Sequence, residues 1–211
     1  MRPDSASELV VAYLRVNGYF ILTDLELHVL EDGSYRTLTD VDIVAVRHPT
    51  LRGPAHYEGG QMVPGVVECL LTEEVDPAFD IATDRFDVVI GEVKRGSAEF
   101  NPALRDPRVL HAAARRIGDI FGVPTDQMIE DLASTGRFRT ETTQVRLVAF
   151  GSDGKVVDGT TVHHGQMVRW LNDMLARHHE LMEVTTFSDP VLSLLSLAGK
   201  VGQPLAAPPH V

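Results

Sequence analysis

The sequence predicts a mixed α/β domain, and three observations carry that reading. A helical segment precedes three strand-like segments, further helices and strands follow, and no internal repeat interrupts the order. The 211 residues suffice to bury a substantial core, and 44% apolar with 23% charged residues is the composition of a globular chain, not a disordered or collagen-like one. The strand-like segments also carry acids and a lysine, where apolar side chains are the rule.

Residues 5–17 place Leu9, Ala12, Tyr13 and Val16 at helical spacing, and Asn17-Gly18 supplies a stop. Residues 19–30 read as a strand, Glu31-Asp32-Gly33-Ser34 as a turn, and residues 35–47 as a second strand. From His48 to Phe86 the chain is irregular, punctuated by Pro49, Pro54, Gly59, Gly60, Pro64, Gly65 and Pro77, with one apolar run at 66–71 suited to an extra strand. Residues 87–94 form a compact apolar strand. Helices follow over 107–121 and 126–133, and strands over 143–150 and 155–162 across a Ser152-Asp153-Gly154 turn. A long helix over 164–182 comes next, and Asp189-Pro190 opens a short one to about Ala198. This order predicts a core over 1–162 with an insertion at about 48–86, a C-terminal helical extension over 163–203 packed on it, and a frayed tail over 204–211.

The net charge of −11 argues against a protein that coats nucleic acid through bulk electrostatics, because phosphate binding is driven by Lys and Arg. It leaves room for an enzyme whose basic residues are local, and acids gathered around a metal add to such a total. No apolar run approaches the roughly 20 residues of a membrane span. Met1-Arg2-Pro3-Asp4-Ser5 runs straight into an amphipathic segment without the pattern of a signal peptide. The single cysteine, Cys69, makes neither an internal disulfide nor a zinc site by itself and fits a small buried apolar residue. A soluble, cytoplasmic protein with no membrane partner is the expectation.

Two strands carry the candidate chemistry. In Asp40-Val41-Asp42-Ile43-Val44 the side chains alternate, so Asp40 and Asp42 share one face. In Val88-Val89-Ile90-Gly91-Glu92-Val93-Lys94, Glu92 and Lys94 share a face, roughly 7 Å apart. A half-buried carboxylate is costly unless paired or bound to a cation. Carboxylates from neighbouring strands therefore suit an oxygen-ligated Mg²⁺ or Mn²⁺, which lowers the pKa of a bound water and neutralises charge on a phosphate. A lysine beside it can hold that water. A structural salt bridge between Glu92 and Lys94 is the plainer alternative. Asp40 reads as the edge of the site.

Glu8, in the first helix, is open between two roles: a capping box Ser5-Ala6-Ser7-Glu8, or part of the site. Asp153-Gly154-Lys155 repeats the residue types but falls on a turn. His163, His164, His178 and His179 read as solvated or helix-end histidines, and Trp170, among Met167, Val168, Leu171 and Met174, as core. Arg105, Arg108, Arg115 and Arg116 could meet phosphates or form a solvated helix face. His56, Tyr57 and Gln61 read as loop residues.

Glu8, Asn17-Gly18-Tyr19, Asp40-Val41-Asp42-Ile43-Val44 and Val88-Val89-Ile90-Gly91-Glu92-Val93-Lys94 together resemble the PD-(D/E)XK nuclease superfamily, in particular its Holliday-junction-resolvase-like and RecB-like branches. The resemblance spans about residues 5–96, and the later helix and strand continue it in order. It departs in two places: 50 positions separate Asp42 from Glu92, and the next helix lacks the Gln-x-x-x-Tyr of the RecB-like branch. The resemblance implies a restriction-endonuclease-like central mixed sheet flanked by helices, and divalent-metal-dependent hydrolysis of nucleic acid, with DNA the expected polymer. It implies Asp42 and Glu92 as ligands of Mg²⁺ or Mn²⁺, the Val93 carbonyl as a third, Lys94 as the catalytic lysine and Glu8 as an outer ligand or water anchor. A catalytically silent binding or assembly module on the same fold is the alternative, and a hydrolase of small phosphorylated substrates a further one. A homodimer would suit the cutting of both strands, although no heptad or patch marks one.

Overall fold

The computed structural model describes residues 4–49, 75–121, 124–153, 160–179 and 187–201. Helix α1 (Ser5–Val16) begins where Asp4, in extended conformation, accepts a hydrogen bond from the Ala6 N–H at 3.3 Å, and it stops at Asn17. Strands β1 (Tyr19–Glu31) and β2 (Ser34–Arg47) form a long antiparallel hairpin. Its two turn residues, Asp32 and Gly33, have φ of 50° and 77°. Positive φ at both is what a two-residue turn needs to match the strands' twist, so a glycine with an aspartate stands there.

Strand β3 (Phe86–Val93) pairs antiparallel with β2, and a crossover through α2 (Pro107–Phe121) and α3 (Thr125–Thr135) brings β5 (Thr143–Gly151) in parallel to β3. The short strands β4 (Arg137–Arg139) and β6 (Thr160–His163) pair with successive halves of β5, antiparallel and parallel respectively. The result is a six-stranded mixed sheet in the order β1-β2-β3-β5-β4, with β6 beside β5. Five α-helices among the described residues accompany it, the last two being α4 (His164–Arg177) and α5 (Pro190–Lys200). None of them is long and apolar enough to cross a membrane.

The sheet is covered on both faces. Val89, Val148 and Phe150 pack with Val10 and Leu14 of α1, Met167 and Leu171 of α4, and Leu192 of α5. Val88, Ile90, Val145 and Leu147 pack with Val109 and Leu110 of α2 and Met128 and Leu132 of α3. Every residue of β5 is buried, as expected of a strand with helices on both sides. Burying each such Val, Leu or Ile contributes about 1.5–3 kcal/mol, so these two layers are the main source of stability. The expected strand at 66–71, Cys69, His56, Tyr57, Gln61 and the tail at 204–211 lie outside the described residues. The last predicted strand is described from Thr160 onward.

One irregularity shapes the site. Asp24 adopts φ 54° between the Thr23–Ile43 and Leu25–Val41 pairs of the hairpin. Before it, Tyr19 and Ile21 face the α1 layer, whereas beyond it Leu25 and Leu27 face the α2 layer. Val41 and Ile43 divide in the same way, so the hairpin rolls over at Asp42.

Candidate functional site

The β2–β3 ladder runs from Arg47–Asp87 to Ile43–Gly91 and goes no further. One residue beyond, the strands part, and the Asp42 carboxylate accepts a hydrogen bond from the Val93 N–H at 2.7 Å in place of a backbone partner. In an extended residue the C=O leaves the strand on the same edge as the N–H, which turns the Val93 carbonyl toward the same opening. Lys94 is anchored on the other side, its N–H donating to the Phe150 carbonyl of β5 at 2.8 Å. By strand alternation Glu92 and Lys94 share the face of Val88 and Ile90. There Lys94 Nζ donates to Glu92 Oε1, with the Glu92 side chain 5% exposed and that of Lys94 41% exposed. The structure thus brings Asp42, Glu92, Val93 and Lys94 together.

Burial raises the pKa of the Glu92 carboxyl above its ordinary value; the Lys94 hydrogen bond opposes the shift and the negative charge of Asp42 adds to it. Two acids with one ammonium leave a local negative excess that a cation would relieve. Among the described residues no group of three or more His, Cys, Asp or Glu side chains is placed to hold a metal. Two carboxylates and a carbonyl fit Mg²⁺ nonetheless, because this ion keeps several waters and typically takes only one or two protein carboxylates.

Glu8 stands on α1. Helix α1 covers the face of Val89 and Val93, opposite the one that Glu92 and Lys94 share. The capping-box reading is also corrected: Asp4, not Ser5, is the N-cap, so Glu8 is the fourth helical residue, and its backbone N–H bonds the Asp4 carbonyl at 2.9 Å. The Ser5-x-x-Glu8 spacing is there, but the helix starts one residue too early to use it. Asp40 is exposed on β2, paired across the hairpin with Glu26.

His164 is not simply solvated: its Nδ1 lies 3.3 Å from Ser152 Oγ, and burial lowers its pKa below the usual histidine range. His163 and His178 are half-buried and His179 is exposed. Trp170 is half-buried against the α1 layer, with the Arg177 guanidinium 5.1 Å from its ring centre. Arg108 pairs with Asp106 at 2.8 Å, and Arg105 lies 5.6 Å from the Phe100 ring centre.

Sequence reasoning missed a second charged cluster. Arg146 on β5 and Asp87 on β3 are both 0% exposed and joined by two hydrogen bonds of 3.2 and 2.9 Å. Tyr19 OH and the Ala82 N–H also donate to this carboxylate, at 3.0 and 2.9 Å, while Arg146 Nη1 donates to the Phe79 carbonyl at 2.6 Å. Burial raises the Tyr19 pKa well above its usual range. Each charge is paired and its hydrogen-bonding groups are used inside the fold, so the cluster acts as structure. Opposite charges at Asp87 and Arg146 on two apolar strands were the available signal. No protein-family model, curated protein or solved structure matches the chain.

Proposed function

We propose that this protein is a divalent-metal-dependent nuclease of restriction-endonuclease-like fold, hydrolysing phosphodiester bonds of nucleic acid, with DNA as the expected polymer. The observation that carries the reading is the meeting of Asp42 and Glu92 where β2 and β3 part, with Lys94 on the Glu92 carboxylate. The antiparallel β1-β2-β3 meander followed by a helical crossover to a parallel strand supports it, because that order presents the two acids side by side at a strand end. In this reading Asp42, Glu92 and the Val93 carbonyl hold Mg²⁺ or Mn²⁺. The bound cation would supply an activated water and charge neutralisation at the phosphate.

The chain's own part is positional and electrostatic. Asp42 is held by the Val93 N–H, which fixes one carboxylate oxygen and leaves the other for a ligand. With Glu92 shared by a cation, Lys94 would hold the attacking water and stabilise negative charge developing on the phosphate oxygens. A silent binding module on the same fold is the second reading. Its support is that Lys94, Arg95 and Arg108 each already hold an internal carboxylate in the described structure. Purified protein with Mg²⁺ or Mn²⁺ on supercoiled, linear, branched and single-stranded DNA, and on RNA, separates the two. Cleavage of at least one substrate, abolished by chelator, is expected; intact substrates under every condition would overturn the nuclease reading.

A further inference from the structure

Lys94 stands on a strand that has lost one neighbour. Beyond Ile43–Gly91 there is no β2 rung, so the segment that follows β3 is located from the β5 side. Four contacts do this: the Lys94 N–H to the Phe150 carbonyl at 2.8 Å, the Ser152 N–H to the Gly96 carbonyl at 2.7 Å, the Ala98 N–H to the Asp153 carbonyl, and Ser152 Oγ to the Arg95 carbonyl at 2.8 Å. Gly151 lies beneath them. A Cβ at this position would sit 2.6 Å from Ala98 N, 2.7 Å from Ala98 Cα and 2.7 Å from the Gly96 carbonyl oxygen. All three are backbone atoms, which cannot swing aside as a side-chain end can. Glycine is needed here for close approach. Gly96, in the same segment, has nothing within 4 Å of its own would-be Cβ.

We propose that Gly151 is a positioning residue for Lys94: by letting residues 96–98 lie directly on the end of β5, it fixes where the Lys94 ammonium stands relative to Asp42 and Glu92. The inference rests on the nuclease reading for its catalytic consequence, though not for the geometry. A methyl group at 151 has to lift residues 96–98, and the shift passes back along the chain to Lys94, whereas Asp42 and Glu92 stay on the paired strands β2 and β3. Displacements of about 1 Å in a reacting group can cost on the order of 100-fold in rate.

The test compares wild type, Gly151→Ala and Gly96→Ala by single-turnover DNA cleavage, Mn²⁺ titration calorimetry and NMR of ¹³C-methylated lysines. The chain has three lysines, Lys94, Lys155 and Lys200, and the Lys94 signal is assigned through Lys94→Arg. Gly151→Ala is expected to cleave at least about tenfold more slowly at saturating Mn²⁺, with Mn²⁺ affinity unchanged and the Lys94 signal displaced. Gly96→Ala is expected to match wild type in all three. If Gly151→Ala does not accumulate as folded protein, Ser152→Ala carries the test: it removes the bond to the Arg95 carbonyl without adding bulk, and the same slowing with unchanged Mn²⁺ affinity is expected. Wild-type rate and an unmoved Lys94 signal in the folded variant overturn the proposal. If wild type itself cleaves nothing, the nuclease reading fails, and the displacement of the Lys94 signal alone decides whether Gly151 positions it.

Discussion

Glu92 pays for its place in an apolar layer with a raised pKa, whose first cause is burial. The sign of its effect on stability follows. The folded protein holds this proton to a higher pH than the unfolded chain does, so the favourable contribution is complete below the ordinary glutamate pKa. It is lost as pH rises through the higher folded value. Glu92→Gln keeps the shape and removes the charge. Its melting temperature relative to wild type should therefore climb as pH rises above the ordinary glutamate pKa, as read by thermal unfolding at each pH. A constant or falling difference would mean that Lys94 compensates the buried charge fully. Arg146 is the opposite case. Arg146→Met leaves the Asp87 carboxylate buried without its cation, which should cost about 3–5 kcal/mol in denaturant unfolding, with no special effect on metal binding. A loss under 1 kcal/mol would show that Tyr19 OH and the Ala82 N–H satisfy Asp87 alone.

At the level of elements, caps and turns explain much of what the sequence made legible. Asp189 precedes Pro190, and its carboxylate accepts from the Val191 and Leu192 N–H groups at 3.0 and 3.2 Å while holding Arg15 of α1 at 3.2 Å. Asp189→Ala should thus destabilise by about 0.5–2 kcal/mol in denaturant unfolding, whereas Glu8→Gln, which is not the N-cap and stands on a helix over the opposite face of the sheet, should leave both stability and cleavage at wild-type level. A tenfold loss of cleavage in Glu8→Gln would instead return Glu8 to the metal. Strands with clear turns at both ends, such as β1, β2 and β3, lie within a residue or so of where periodicity puts them. β4 was invisible because Arg137–Arg139 is too short to show alternation, and its pairing with β5 is a tertiary fact. For the site, alternation alone set Glu92 beside Lys94. The roll of the hairpin at Asp24, which carries Asp42 to the Val93 N–H, depends on a single left-handed aspartate that no local pattern announces.

On the scale of the whole molecule, the net charge is −11 and the sheet is packed on both faces, and among the described residues charge, burial and backbone opening coincide where β2 and β3 part. An acidic protein of this kind gains little from bulk attraction to phosphates, so a cation held between Asp42 and Glu92 would have to provide the local positive charge that draws the scissile group in. In the proposed site, Lys94 would add a second positive charge once a cation shared the Glu92 carboxylate with it. The most direct measurement is the Mg²⁺ dependence of DNA cleavage by wild type, Asp42→Asn and Glu92→Gln, each first verified as folded by circular dichroism. Metal-dependent cleavage by wild type, with a loss of at least about a hundredfold in both variants (roughly 2.7 kcal/mol of barrier), is the expected result. Equal cleavage by all three proteins at the same Mg²⁺ concentration would contradict the assignment of this site.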